Sequence, residues 1–130
     1  MEMKKATKNW MDSAQYDLET ARHMLKTSRY LYTVFMCHLA VEKTLKARVC
    51  ETTGRTPPKT HDLIRLLQLS RLTLPADLLD FLGKLGSASI VTRYPEDFSE
   101  IIRVYTEDVA EAYLKKAEEI VQWITGQLRS

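Results

Sequence analysis

The sequence lacks the short patterns by which many enzymes and metal proteins are recognised. It has no Cys-x-x-Cys pair and no Glu-x-x-His pattern, and its three histidines, His23, His38 and His61, lie on separate predicted elements. It also has neither a glycine-rich phosphate loop nor the Gly-x-Ser-x-Gly turn of a serine nucleophile. We therefore expect no metal and no cofactor, and we name no catalytic residue.

Cysteine, net charge and long apolar runs are also scarce. Cys37 and Cys50 are the two cysteines, and on one helix they would lie roughly 20 Å apart, too far to bridge. The formal net charge of +2 does not by itself indicate nucleic acid or an anionic membrane. No apolar run approaches the ~20 residues of a membrane span, and Met1–Lys5 leads into a polar segment. We expect a cytoplasmic protein with reduced thiols.

The residues that are present suit one domain over 1–130, because the chain has 130 residues with 45% hydrophobic and 28% charged side chains. The stretch Tyr30–Glu51 is apolar nearly all round and contains no Gly or Pro. Such a stretch is typical of a helix inside a bundle. We take it as the central helix, ending at Gly54 as a C-cap.

Four further helices are predicted around it, which gives an all-α, five-helix up-and-down antiparallel bundle. The first covers 8–27, the next starts after Thr60 as N-cap, another opens at Pro75, and the last covers 104–128. Gly86–Ser89 predicts a loosened helix end. Residues 90–97 are predicted to be irregular, because Pro95 disfavours helix at the residue before it.

Arg93-Tyr94-Pro95 is the first candidate site. A guanidinium suits phosphate and a phenol ring offers a flat face to a base. The alternative is a plain connecting turn in which Arg93 pairs with Glu96 or Asp97.

Lys59-Thr60-His61-Asp62 is the second candidate, because a helix N-terminus attracts anions and Lys59 and His61 would add donors. The alternative is an ordinary N-cap followed by an exposed histidine. Arg55 and His61 are separated by a spacing that can serve metal-independent RNA cleavage. The intervening Thr-Pro-Pro-Lys-Thr favours coincidence here.

His38, Glu42 and Lys46 form the third candidate, at successive i, i+4 positions of the central helix. Buried together they would be a charge network, and at the surface a solvated strip. We favour a structural role, with Glu42 paired to Lys46.

Taken together, these segments resemble the HEPN family (higher eukaryotes and prokaryotes nucleotide-binding domain). The resemblance covers nearly the whole chain, and its segments occur in the family's order. They are Trp10 to Ala21, Ala40 to Ala47, Pro58 to Leu63, Thr92 to Pro95 and the last helix to Ile124.

The resemblance implies an α-helical up-and-down bundle and a homodimer whose cleft binds nucleotide or RNA. It also implies a partner, a minimal nucleotidyltransferase, in a toxin–antitoxin pair. Several branches of the family are ribonucleases in which four to six residues separate an Arg from a His near the start of a late helix. This chain departs from that pattern, because no histidine follows His61.

Three functions remain open. The first is a dimeric module that binds nucleotide, RNA or the nucleotidyltransferase, with Lys59, His61, Arg93 and Tyr94 as its ligand-binding residues. The second is a metal-independent endoribonuclease toxin. The third, a DNA-binding helix-turn-helix, is disfavoured because the helix from Pro75 to Leu85 carries a single cation, Lys84.

Overall fold

The computed structural model of the protein describes residues 3–128, and over this range the chain forms six α-helices and no strand. The all-α prediction is confirmed, whereas the predicted count of five helices is wrong. The helices are α1 (Lys5–Lys26), α2 (Tyr30–Thr53), α3 (Leu63–Ser70), α4 (Ala76–Arg93), α5 (Phe98–Val104) and α6 (Glu107–Leu128).

Helix α2 is the centre of the fold, and each of the other five helices contacts it. It is buried on several sides, because Ala40, Val41 and Cys50 point in different directions around the helix and each is at most 4% exposed. The helix ends where Gly54 adopts a left-handed conformation, with φ of 68°, and donates its N–H to Cys50. The predicted central helix and its glycine cap are therefore both observed.

Helix α3 begins two residues later than its predicted cap. Asp62, not Thr60, is the N-cap, because Asp62 Oδ1 accepts a hydrogen bond from the Arg65 N–H at 3.2 Å. The hydroxyl of Thr60 instead accepts from the Asp62 N–H at 3.1 Å. Either residue type can cap a helix, and here the carboxylate takes that role while the hydroxyl supports the preceding turn.

Helix α4 continues through Gly86–Ser89 to Arg93, so the predicted loosened end is not observed, and the irregular segment covers 94–97 rather than 90–97. The helix persists because Leu85, Ala88 and Thr92 are buried on its inner side, and tertiary packing outweighs weak helix propensity. It stops at Tyr94, whose φ of −131° is extended, as expected before a proline.

Helix α5 was not predicted at all. Asp97 starts it by accepting from the Glu100 N–H at 3.2 Å. Its seven residues are fewer than the window of about 11–18 over which helical periodicity is recognised in a sequence. Helix α6 then begins at Glu107 rather than at residue 104.

The two thiols lie inside the bundle and are not joined to each other. Burial is the main reason that the pKa of the Cys37 thiol is raised to about 12, so it remains protonated and inert at neutral pH. Within residues 3–128, no helix combines the length and apolar character that crossing a membrane requires.

Candidate functional site

Glu42, in the middle of α2, connects the polar side chains of the interior. Its carboxylate is almost fully buried, and Lys46 lies 3.1 Å from Oε2. His61, which comes from the loop before α3, places Nδ1 2.8 Å from Oε1. The Nδ1–H of His61 donates to Glu42, so the carboxylate orients the imidazole and leaves Nε2 for other partners.

His38 lies one helical turn before Glu42 and is completely buried, with 0% of its surface exposed. Burial is the largest cause of a pKa lowered to about 4, and the positive charge of Arg93 lowers the pKa further. The Glu42 carboxylate, 3.7 Å from Nδ1, and a hydrogen bond with the backbone of His61 raise the pKa but do not offset this lowering. His38 is therefore neutral at pH 7, and its Nδ1 can accept a hydrogen bond.

Arg93, the last residue of α4, contacts this interior group from the other side. Its Nη2 lies 3.5 Å from His38 Nδ1, and its guanidinium carbon lies 4.8 Å from the centre of the Phe35 ring. Among the residues that the structure describes, no carboxylate forms an ion pair with Arg93, and its buried Nε has no hydrogen-bond partner. The alternative in which Glu96 or Asp97 neutralises it is thus not what is observed.

His61 and Arg93 meet at a surface cleft of about 490 Å³ between the start of α3 and the second half of α4. We call it the α3–α4 cleft. Its walls combine polar groups with apolar side chains, and two glycines of α4 lie on its floor. The lining residues are His61, Asp62, Leu63, Ile64, Leu82, Gly83, Gly86, Ser87, Ser89, Ile90, Arg93 and Tyr94.

Three of the four predicted ligand-binding residues, His61, Arg93 and Tyr94, line this cleft. Lys59 is exposed but does not line it. The start of α3 also differs from the sequence-based interpretation, because Asp62 already caps the free N–H groups with a carboxylate. An anion in the cleft would therefore depend on side-chain donors rather than on the helix N-terminus.

The sequence interpretation treated the His38–Glu42–Lys46 strip as separate from the two loops. The structure instead joins them, since Glu42 contacts His61 and His38 contacts Arg93. The i, i+4 spacing was the available signal, but spacing on one helix does not reveal which loop covers it. In the described part of the chain, no group of three or more His, Cys, Asp or Glu side chains is arranged to hold a metal ion.

The sequence profile of the HEPN domain matches residues 7–127 of this chain. The chain belongs to the HEPN domain family. The match spans every helix except the first residues of α1 and the last residue of α6. No curated protein resembles the sequence significantly.

Solved structures of related proteins share the fold over nearly their whole length. A protein of Thermus thermophilus is 26% identical, with a TM-score of 0.82 and coverage of 95% of this chain and 98% of that one. An archaeal HEPN homologue is 28% identical, with a TM-score of 0.76 and coverage of 96% and 99%. A HEPN domain protein of Thermotoga maritima is 28% identical, with a TM-score of 0.69 and coverage of 93% and 98%.

Proposed function

We propose that this HEPN domain binds a nucleotide or an RNA segment in the α3–α4 cleft. The observation that carries the proposal is the convergence of His61, Arg93 and Tyr94 on one cleft from two separate segments. Arg93, which forms no ion pair with a carboxylate among the described residues, and His61, which Glu42 orients, supply donors for a phosphate. Tyr94, 76% exposed, supplies a flat face against which a base can stack.

The neutral walls of the cleft suit the uncharged part of a nucleotide. Ile64 and Ile90 are exposed apolar side chains beside Tyr94. Gly83 and Gly86 have no side chain, and a Cβ atom placed on either would meet nothing within 4 Å. A planar base can therefore approach the backbone of α4 closely while its phosphate reaches Arg93.

A second candidate function, metal-independent RNA cleavage, is favoured by one specific contact. The 2.8 Å pair between His61 and Glu42 is the arrangement in which a carboxylate orients an imidazole for proton transfer. Arg93 would stabilise the charge on the phosphate. The Arg-to-His pattern is absent from the late part of the sequence, but His61 lines the same cleft as Arg93 from another loop.

The proposal also includes the proteins with which this chain associates. From its family resemblance we infer a two-gene toxin–antitoxin system in which the chain forms a homodimer and associates with a minimal nucleotidyltransferase. Co-expression with a nucleotidyltransferase encoded beside it, followed by size-exclusion chromatography and mass spectrometry, tests this association. Separate elution of the two proteins at micromolar concentration would contradict it.

Substitution of Arg93 tests the binding site. Alanine would also remove the stacking on Phe35, which is worth about 0.5–2 kcal/mol. Arg93→Met removes the guanidinium, and with it the donors and the contact with Phe35, but it keeps an unbranched apolar side chain and so loses less packing than alanine. We expect nucleotide or RNA binding to weaken by about 1.5–3 kcal/mol, measured by calorimetry, with a small change in melting temperature.

Arg29→Met is the matched control, because Arg29 is an exposed arginine at the start of α2 that does not line the cleft. It should leave binding unchanged. If Arg93→Met lowers the melting temperature strongly and spares binding, Arg93 is structural and the site is wrong.

Cleavage is distinguished from binding by incubating single-stranded RNA with the protein in excess chelator. An endoribonuclease would shorten the RNA, and His61→Asn would abolish the cleavage while leaving Arg93-dependent binding. Intact RNA after prolonged incubation with a protein that binds it would remove the second candidate.

A further inference from the structure

A second concave surface lies on the other side of α3, between the end of α2 and the proline-containing loop. Its volume is about 690 Å³. Every ionisable side chain that lines it is an arginine, namely Arg55, Arg65 and Arg71. We call it the arginine pocket. A lining of three cations and no carboxylate is unusual for a chain whose formal net charge is only +2.

The charges of this protein are segregated rather than evenly mixed. Within the described residues, no carboxylate lies within 4.0 Å of the guanidinium of Arg55, Arg65 or Arg71. The surface of α6 is mainly acidic, because another concave region there is lined by four carboxylates and one lysine, namely Asp108, Glu111, Glu118, Glu119 and Lys115. A concentrated positive potential attracts polyanions to the arginine pocket.

Arg71 adds a second, independent observation. It is the C-cap of α3 and adopts a left-handed conformation, with φ of 60° and ψ of 22°. Glycine is the usual residue at such a position because a Cβ atom is disfavoured there. An arginine at this position has a conformational cost that glycine would not have.

The composition of the pocket suits phosphate groups joined by a sugar backbone. Planar guanidinium groups bind phosphate oxygens in a bidentate manner, and here three of them surround one concave surface. Thr52 and Gln68 add uncharged polar groups, while Val49 and Leu69 provide apolar contact for a ribose or base.

We propose that the arginine pocket binds the phosphodiester backbone of single-stranded RNA as a site additional to the α3–α4 cleft. Helix α3 lies between the two sites, with Ile64 lining the cleft and Arg65 lining the pocket. One RNA strand can therefore contact both sides of this short helix. The choice of RNA over other polyanions rests on the proposed function.

The experiment compares two ligands by fluorescence anisotropy, a labelled single-stranded RNA and a labelled mononucleotide, between about 50 and 200 mM salt. Arg71→Gly removes the charge and also relieves the left-handed backbone. Arg65→Gln removes a second charge while keeping a polar helix former. We expect each variant to bind RNA roughly tenfold more weakly, with the salt dependence of log K reduced by about 0.7 for each lost contact. Mononucleotide binding should stay unchanged.

The melting temperature of Arg71→Gly separates binding from folding, because it should equal or exceed that of the original protein. Lys115→Gln is the control for loss of one positive charge, since Lys115 lies on the acidic surface of α6, and it should leave RNA affinity unaltered.

Unchanged RNA affinity and salt dependence in both arginine variants would overturn the inference. The inference would also be wrong if the original protein bound the mononucleotide but no RNA. It would be wrong as well if lowering the salt concentration led only to self-association of the protein through the acidic surface of α6. If RNA binding depended on Arg65 and Arg71 while the mononucleotide did not bind, the arginine pocket would be confirmed as an RNA site. The proposal that the α3–α4 cleft binds a nucleotide would then be wrong.

Discussion

His38 links the two sides of the proposed site without lining the cleft. Its Nδ1 faces Arg93 Nη2 at 3.5 Å and the Glu42 carboxylate at 3.7 Å. A protonated His38 would repel Arg93 and would have to lose its hydration in a fully buried position. The neutral ring therefore lets a guanidinium lie beside it, and the protonation state of His38 determines how firmly Arg93 is held.

The stability of the protein should fall as His38 is protonated. The pKa of His38 is about 4 in the folded state and about 6.5 in an unfolded chain. Above pH 6.5 neither state binds the proton, so there is no penalty. Between pH 6.5 and 4 the unfolded chain binds the proton first, and folding loses up to roughly 3 kcal/mol.

Chemical denaturation at a series of pH values measures this loss. His38→Gln removes the titrating ring, so its stability should decline less steeply over the same interval. Parallel pH profiles for the two proteins would show that His38 is not the responsible group.

At the scale of helices, the sequence predicted the buried helix better than the peripheral ones. Helix α2 is apolar nearly all round, and because no helix within residues 3–128 could cross a membrane, that pattern indicates a helix enclosed by other helices. Helix α5 has only seven residues and no fully buried side chain, so periodicity could not reveal it. The end of α4 was misjudged because Gly83 and Gly86 suggested a break, whereas both glycines are helical and line the cleft.

The candidate site was predictable in part for the same reason. Proline marked both segments that contribute to the cleft, and His61, Arg93 and Tyr94 could be selected from them by chemistry. The sequence could not show that Lys59, unlike these three residues, lies outside the cleft, because sequence position does not reveal which side of a loop faces a helix. Likewise, the burial of Glu42 against His61 is a tertiary contact across nineteen positions, for which a single sequence holds no signal.

The two glycines of α4 provide a test in which stability and binding change in opposite directions. Alanine is favoured over glycine inside a helix by about 0.8–1 kcal/mol, and the added Cβ atom has free space at both positions. Gly83→Ala and Gly86→Ala should therefore raise the melting temperature. Both should weaken nucleotide or RNA binding, because each methyl group would occupy space at the floor of the cleft.

Gly126→Ala is the matched control, since Gly126 lies in α6, away from the cleft, and its Cβ atom would also meet open space. It should not reduce stability or alter binding. If Gly83→Ala and Gly86→Ala raise the melting temperature but bind the ligand as tightly as the original protein, the ligand does not approach this part of α4 closely.

At the scale of the whole molecule, the exposed apolar side chains are concentrated in one segment. Those between the end of α4 and the end of α5 are Ile90, Tyr94, Phe98, Ile102 and Val104. Monomeric soluble proteins rarely expose contiguous apolar patches of large area. We propose that this segment, which adjoins the α3–α4 cleft at Ile90 and Tyr94, forms the homodimer interface.

A charged substitution in this segment tests the proposal. Ile102 is 48% exposed, so Ile102→Glu should fold normally yet place two carboxylates in a self-complementary interface, where desolvation and like-charge repulsion oppose association. We expect sedimentation velocity to show a dimer for the original protein and a monomer for this variant. Leu79→Glu is the control, because Leu79 is similarly exposed on α4 but lies outside the segment. If the dimer persists in Ile102→Glu but dissociates in Leu79→Glu, the interface lies on another face of α4. If the original protein is a monomer, the proposal of a homodimer is wrong.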